Sequence, residues 1–199
     1  MARDPGRNFT RERIAHLAAR LMAVDGIEDH ALAKRKAARQ AGVPDTRQLP
    51  NNDEIDAALR LYRELYQREH PAQLRELRQL ALEVMHELAN FNPYLTGSVL
   101  KGNAGKYAAI KLLLFTDNGK SVEHYLLDRA IDFRSGGTRL YAGEAPLAAP
   151  VLTFSRSGID IHLTLLAPRE LRCQLKASAE GKPLERARRE AVEALLAAD

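Results

Sequence analysis

Apolar residues recur at three- and four-residue steps as far as Ala89, and beyond it they gather into short continuous runs. The first regime predicts helices. Ile14, Leu17, Ala18, Leu21 and Met22 make one face of a helix that Thr10 can cap and Gly26 can stop. A second helix is expected from Asp29 to Ala41, with Leu32, Ala33 and Ala37 as its buried side and Gly42, Val43 and Pro44 as its end. Asn51 followed three residues later by Glu54 is a capping-box signature. The stripe Ile55, Leu59, Tyr62 and Leu65 or Tyr66 carries that third helix toward His70, where Pro71 should end it. Pro71 can then open a fourth, carried by Leu74, Leu77, Ala81, Val84, Met85 and Leu88.

Around Asn92 and Pro93 the texture changes, which sets the expected boundary between a helical region, 1–91, and an α/β domain, 92–199. Tyr94–Thr96 and Ala108–Phe115 read as strands, the second too apolar for an exposed edge and so central. Asp117, Asn118 and Gly119 form a turn, and Ser121 can cap a short helix. Gly136 and Gly137 precede a short strand at Arg139–Tyr141. Val151–Phe154 and Ile159–Leu166 are strands joined by the four residues Ser155, Arg156, Ser157 and Gly158. A last helix is expected from Pro183, burying Leu184, Ala187, Ala191, Val192 and Leu195 and leaving Arg186, Arg188, Arg189 and Glu190 wet. The fold class is therefore α+β, a helical amino-terminal half packed on a small mixed sheet.

Composition narrows the classes. A chain of 199 residues has room for one ordinary domain or two small ones, which excludes a large multidomain enzyme. No apolar run approaches the length of a membrane span. Residues 1–9 lack the apolar stretch of a secretory signal, and Cys173 stands alone, so a bacterial-type cytoplasm and no disulfide or cysteine metal cage are expected. A net charge of +4 permits an anionic partner without requiring one. The six histidines show no metalloprotease spacing, and no Gly-x-Ser-x-Gly elbow occurs.

The most informative stretch is Tyr94 to Asp117, YLTGSVLKGNAGKYAAIKLLLFTD. A strand, Gly97-Ser98, a short glycine-bearing segment and an apolar strand together resemble the nucleotidyltransferase superfamily related to DNA polymerase beta, over roughly Tyr94 to Leu166. The resemblance implies a sheet of nucleotidyltransferase type. It also implies that Gly97, Ser98, Lys101 and Gly102 approach the phosphates of a nucleotide such as ATP. In that family an Asp-x-Asp on the second strand holds Mg²⁺, and those two positions fall here on Ala109 and Lys111. Residues two apart on a strand share a face, so the missing pair removes the metal grip. Lys111 would in addition repel a cation, by about 4 kcal/mol per unit charge at roughly 4 Å and an effective dielectric of ~20. Mg²⁺ is therefore disfavoured. Asp160 is the candidate for the family's third carboxylate, with His162 and Thr164 on its face. The resemblance then implies a catalytically degenerate member that binds a nucleotide, another phosphate-bearing ligand or a protein partner. Lys111 either contacts phosphate with Asp160 positioning it, or simply pairs with Asp160 across the sheet. Gly97-Ser98 can equally be a plain turn.

Two shorter resemblances give alternatives. Gly102-Asn103-Ala104-Gly105-Lys106 is similar to the Gly-x-x-Gly-Lys core of the ATP loop in muramoyl-peptide ligases such as the UDP-N-acetylmuramate to alanine enzyme, but Tyr107 stands where that loop has Thr or Ser. Residues Arg11 to Leu59 distantly resemble the three-helix DNA-binding module of the tetracycline-repressor family, with AARQAGV as the helix-turn. That alternative is a nucleic-acid-binding regulator using Lys34, Arg35, Lys36, Arg39 and Arg47. Pro44 and Pro50 bracket the segment that should read base edges, and a solvated helix face accounts for the same cations.

Overall fold

The computed structural model describes residues 5–27, 29–43, 49–105 and 108–198. The chain divides into two compact units, Met1–Gln73 with Gly105–Tyr107, and Leu74–Ala104 with Ala108–Asp199. The change of texture at Asn92 and Pro93 therefore falls inside the second unit.

Among its described residues the first unit holds three helices, α1 (Pro5–Val24), α2 (His30–Gln40) and α3 (Asn52–Tyr66). Ile14, Ala18, Leu21, Met22, Ala33, Ala37, Ile55 and Leu59 form their common core. Thr10 lies inside α1 and does not cap it, because Pro5 already supplies a pre-set backbone angle at the first position. Asp29 caps α2 by accepting from the amides of Ala31 and Leu32. The capping box of α3 is complete: Asn51 Oδ1 accepts from Glu54 N at 2.8 Å, and Glu54 Oε2 accepts from Asn51 N at 2.6 Å. That helix ends at Tyr66, short of the expected His70, and His70 is instead the first residue of α4 (His70–Glu87). Pro71 sits in the first turn of α4, where its missing N–H costs nothing.

The second unit is built on a seven-stranded mixed sheet. Its strands are β1 (Pro93–Thr96), β2 (Ile110–Phe115), β3 (Arg134–Ala142), β4 (Ala145–Arg156), β5 (Ile159–Leu166), β6 (Leu175–Lys176) and β7 (Arg186–Ala187). They lie in the order β6-β3-β4-β5-β2-β1-β7. Only β2 and β5 run parallel. Short helices α5 (Gly97–Lys101), α6 (Gly119–Asp128) and α7 (Arg189–Ala198) complete the unit. One sheet face, with Leu95, Ile110, Leu112, Leu114, Leu152, Phe154, Ile161, Leu163 and Leu165, packs on Leu77, Ala81, Val84 and Met85 of α4 and on Val99, Val122, Leu126 and Val192. The other buries Tyr94, Leu113, Phe115, Leu140, Ala149 and Leu166 under Leu171, Leu175 and Leu184. Burial on both faces is why β2 reads as an unbroken apolar run apart from Lys111.

Several local expectations are corrected. Asn118, not Ser121, caps α6, by accepting from Lys120 N at 3.0 Å. Gly136 and Gly137 do not precede a strand; they lie within β3, whose nine-residue pairing with β4 carries them through. The β4–β5 loop is only Ser157 and Gly158, at φ +54° and +77°, the backbone a two-residue hairpin turn demands. The last helix starts at Arg189, because Leu184 is drawn onto Leu175 by a backbone bond and Arg186–Ala187 add to the sheet edge.

Arg156 of β4 forks onto Glu87 at the end of α4 with contacts of 2.7 and 2.8 Å. Hydrogen bonding from Arg156, more than its charge, holds Glu87 below the usual carboxylate range. Because the folded pKa is depressed, the stabilisation is complete above the unfolded value near 4.5 and is lost as pH falls through the folded one. The Glu87 side chain is 42% exposed, so solvent screening keeps the effect small. Glu87→Gln is expected to cost about 0.5 kcal/mol near neutrality and less at pH 3. Urea unfolding at the two pH values measures this, and an unchanged gap would mean the ion pair is not its source.

Candidate functional site

The Gly-Ser bend is where β1 leaves the sheet. Thr96 is extended, and its Oγ1 donates to the carbonyl of Glu185 at 2.6 Å. Gly97 then turns the chain at φ +78°, and a Cβ added to it would stand 3.3 Å from Cδ of Lys111. Glycine is required twice over, by the left-handed backbone and by the lysine stem lying against it. Ser98 opens α5. Its Oγ is shut off from solvent and has no hydrogen-bond partner among the described residues.

The sheet register extends the site sideways. Arg186 of β7 pairs with Thr96, Thr96 with Lys111, and Lys111 with His162 of β5. Residues directly opposite one another on paired strands share a face. Arg186, Thr96, Lys111 and His162 are therefore one polar row crossing four strands beside the bend. In the next row inward Tyr94 lies opposite Leu113. Arg186 donates to the Leu171 carbonyl at 2.5 Å and lies over the rings of Phe115 and Tyr94, 5.5 and 5.9 Å from their centroids. Arg188 donates to the Tyr94 hydroxyl at 2.6 Å.

Of the five residues expected to contact phosphate, Gly97, Ser98 and Lys111 gather at this bend. Lys101 is exposed at the far end of α5. Gly102 ends that helix at φ +78° and faces α4, where an added Cβ would stand 3.5 Å from Nη2 of Arg78 and 3.7 Å from Cδ2 of Leu74. Arg78, buried in α4, donates to the carbonyls of Val99 and Leu100. That placement makes Gly102 a helix terminator packed on α4.

Ala109 is half-buried just before β2, and the β2–β5 register, carried back one residue from Ile110 and Ile161, brings Asp160 level with it. The Asp160 carboxylate has Arg134 as its ion partner, at 3.9 Å, while the residue opposite Lys111 is His162. One carboxylate engaged by an arginine, a methyl group and an ammonium do not fit a magnesium site. No group of three or more His, Cys, Asp or Glu that could hold a metal gathers among the described residues. The row carries a lysine, an arginine, a histidine and a threonine, and no carboxylate.

Sequence reading missed Arg186, which it placed on a wet helix. The signal there was weak, since a two-residue strand leaves no periodicity to detect.

The cations of the first unit behave differently. Arg35, Lys36 and Arg39 are exposed along α2. Lys34 is half-buried, and desolvation lowers its pKa despite the nearby Glu54. Glu54 itself takes a forked contact from Arg11 at 2.8–3.0 Å, and His30 meets Asp56 at 2.8 Å, so part of the charge braces the three helices. Arg47, with residues 44–48 of the Pro44–Pro50 segment that should read bases, and Lys106 of the Gly-x-x-Gly-Lys pattern lie outside the described residues.

No protein-family model matches this chain, and no curated protein matches it.

Gly97→Ala is expected to destabilise by about 1–2 kcal/mol, more than Gly143→Ala, which has similar φ, +67°, but nothing within 4 Å of an added Cβ. Denaturant unfolding of both variants, repeated in a Lys111→Ala background, isolates the close approach. The excess at Gly97 should shrink once the lysine stem is gone, and an unchanged excess would place its origin elsewhere.

Proposed function

We propose that this chain is a catalytically degenerate protein of nucleotidyltransferase type that binds a nucleotide or another phosphate-bearing ligand beside Gly97 and Ser98. The observation that carries the reading is the position of Lys111. It lies against Gly97, on the face of the sheet where the family resemblance calls for a metal-binding carboxylate. Strand, Gly-Ser bend, short helix, loop and central strand also follow one another in the expected order. With Ala109 and Lys111 in the aspartate positions, the protein binds without transferring a nucleotidyl group.

In this reading an ammonium takes over the electrostatic work of the cation, attracting a phosphate group directly. The Ser98 hydroxyl supplies a donor that costs little to redirect, because it is not already engaged by a described residue. His162 and Arg186 extend the same polar row for a second anionic group.

Calorimetric titration with ATP tests the proposal. Heat of binding is expected without Mg²⁺ and should not depend on its addition. Lys111→Glu should abolish it, and Ser98→Ala should weaken it about 5- to 10-fold, the size of one lost hydrogen bond. Silence of the wild-type protein in both titrations, or binding only with Mg²⁺ present, would reject it.

A further inference from the structure

A second surface, confined to the first unit, carries different chemistry. Phe9, Arg13, His16 and Arg20 recur at three- and four-residue steps and so form one stripe along α1. Tyr62 and Tyr66 end the apolar stripe of α3, one turn apart, with ring centroids 4.8 Å from each other. These side chains line an open groove of about 800 Å³. Phe9 and Tyr66 are 69% and 70% exposed, so two large rings stand in water, while Ile55 and Leu59 earlier in the α3 stripe are buried. The ionic lining is Arg13, Arg20 and Glu12, with His16, and is net positive. Gln40, the last residue of α2, also lines the groove, and exposed Lys36 lies one helical turn before it on the same face.

We propose that this groove binds single-stranded nucleic acid, with bases stacked on Tyr66 and Phe9 and phosphates drawn to Arg13 and Arg20 and onward to Lys36. Exposed rings alternating with arginines at helical spacing suit a ligand that repeats flat apolar faces and negative charges. A duplex hides its base faces and would use only the cations. An apolar protein partner would match the rings but leave the arginines without acceptors. The site is independent of Lys111, so it stands or falls separately from the nucleotide reading.

The test is fluorescence anisotropy of a labelled 12-nucleotide oligouridylate and of the corresponding deoxythymidylate against the full chain. Tyrosine emission is followed in parallel, since the protein has six tyrosines and no tryptophan. Binding is expected to quench that emission. Tyr66→Ala should weaken binding at least about 5-fold and Tyr66→Phe should leave it nearly unchanged, because the stacking face survives. Arg13→Gln should lower the slope of log affinity against log salt by about 0.7, and Lys111→Glu should have no effect. No binding of either oligonucleotide, equal affinity for a duplex of the same length, or full affinity in Tyr66→Ala would overturn the proposal. So would uridine monophosphate competing as well as the oligonucleotide, or a self-association that Tyr66→Ala abolishes.

Discussion

The parallel pairing of β2 with β5 is the constraint on which the second unit depends. Ile110, Leu112 and Leu114 lie opposite Ile161, Leu163 and Leu165, and all six enter the core beneath α4. On the reverse face Leu113, Phe115 and Leu166 are buried as well. A strand buried on both sides resists slipping, since a shift of one residue would drive Lys111 into the core and a leucine out of it. The register that keeps Lys111 at the edge of the apolar patch also sets it between Thr96 and His162, and lays its stem along Gly97. The polar row is thus a consequence of how the core is filled.

That row has an electrostatic character unlike a metal site. Its members are a lysine, an arginine, a histidine and a threonine, and the Asp160 carboxylate is engaged by Arg134. Metal-binding centres concentrate negative charge against the cost of desolvation. Here positive charge lines the bend instead, and its repulsion is eased by spreading it: Arg186 reaches the Leu171 carbonyl and two aromatic rings, while Arg188 reaches the Tyr94 hydroxyl. Aromatic faces and carbonyl oxygens attract cations without neutralising them.

In the first unit the same residue types divide between support and display. Arg11 with Glu54 and His30 with Asp56 join separate helices, which suits a unit whose core contains many alanines and so little apolar area per residue. Arg13, Arg20, Arg35, Lys36 and Arg39 remain in solvent. Counting charge along the sequence cannot separate these two groups, because the difference lies in which carboxylates fold into reach.

Local signals were legible wherever a short-range interaction decides the outcome. The capping box at Asn51 and Glu54, the stripe Leu74 to Leu88 and the apolar β2 are each governed by neighbours within a turn or by burial on both faces. The α+β class and the centrality of β2 followed from those patterns alone. Boundaries set by competition between alternatives were not legible: Tyr66 rather than His70 ends α3, Arg134 rather than Arg139 begins β3, and Arg186 joins a sheet edge rather than a helix. In each case but the first a distant partner, β4 for β3 or Thr96 for Arg186, supplied the deciding hydrogen bonds. The meeting of Gly97, Lys111, His162 and Arg186 belongs to the same class. A family resemblance in the sequence suggested residues 97, 98 and 111 at one bend, but only strand register, a long-range quantity fixed by core packing, could bring residues 162 and 186 into their row.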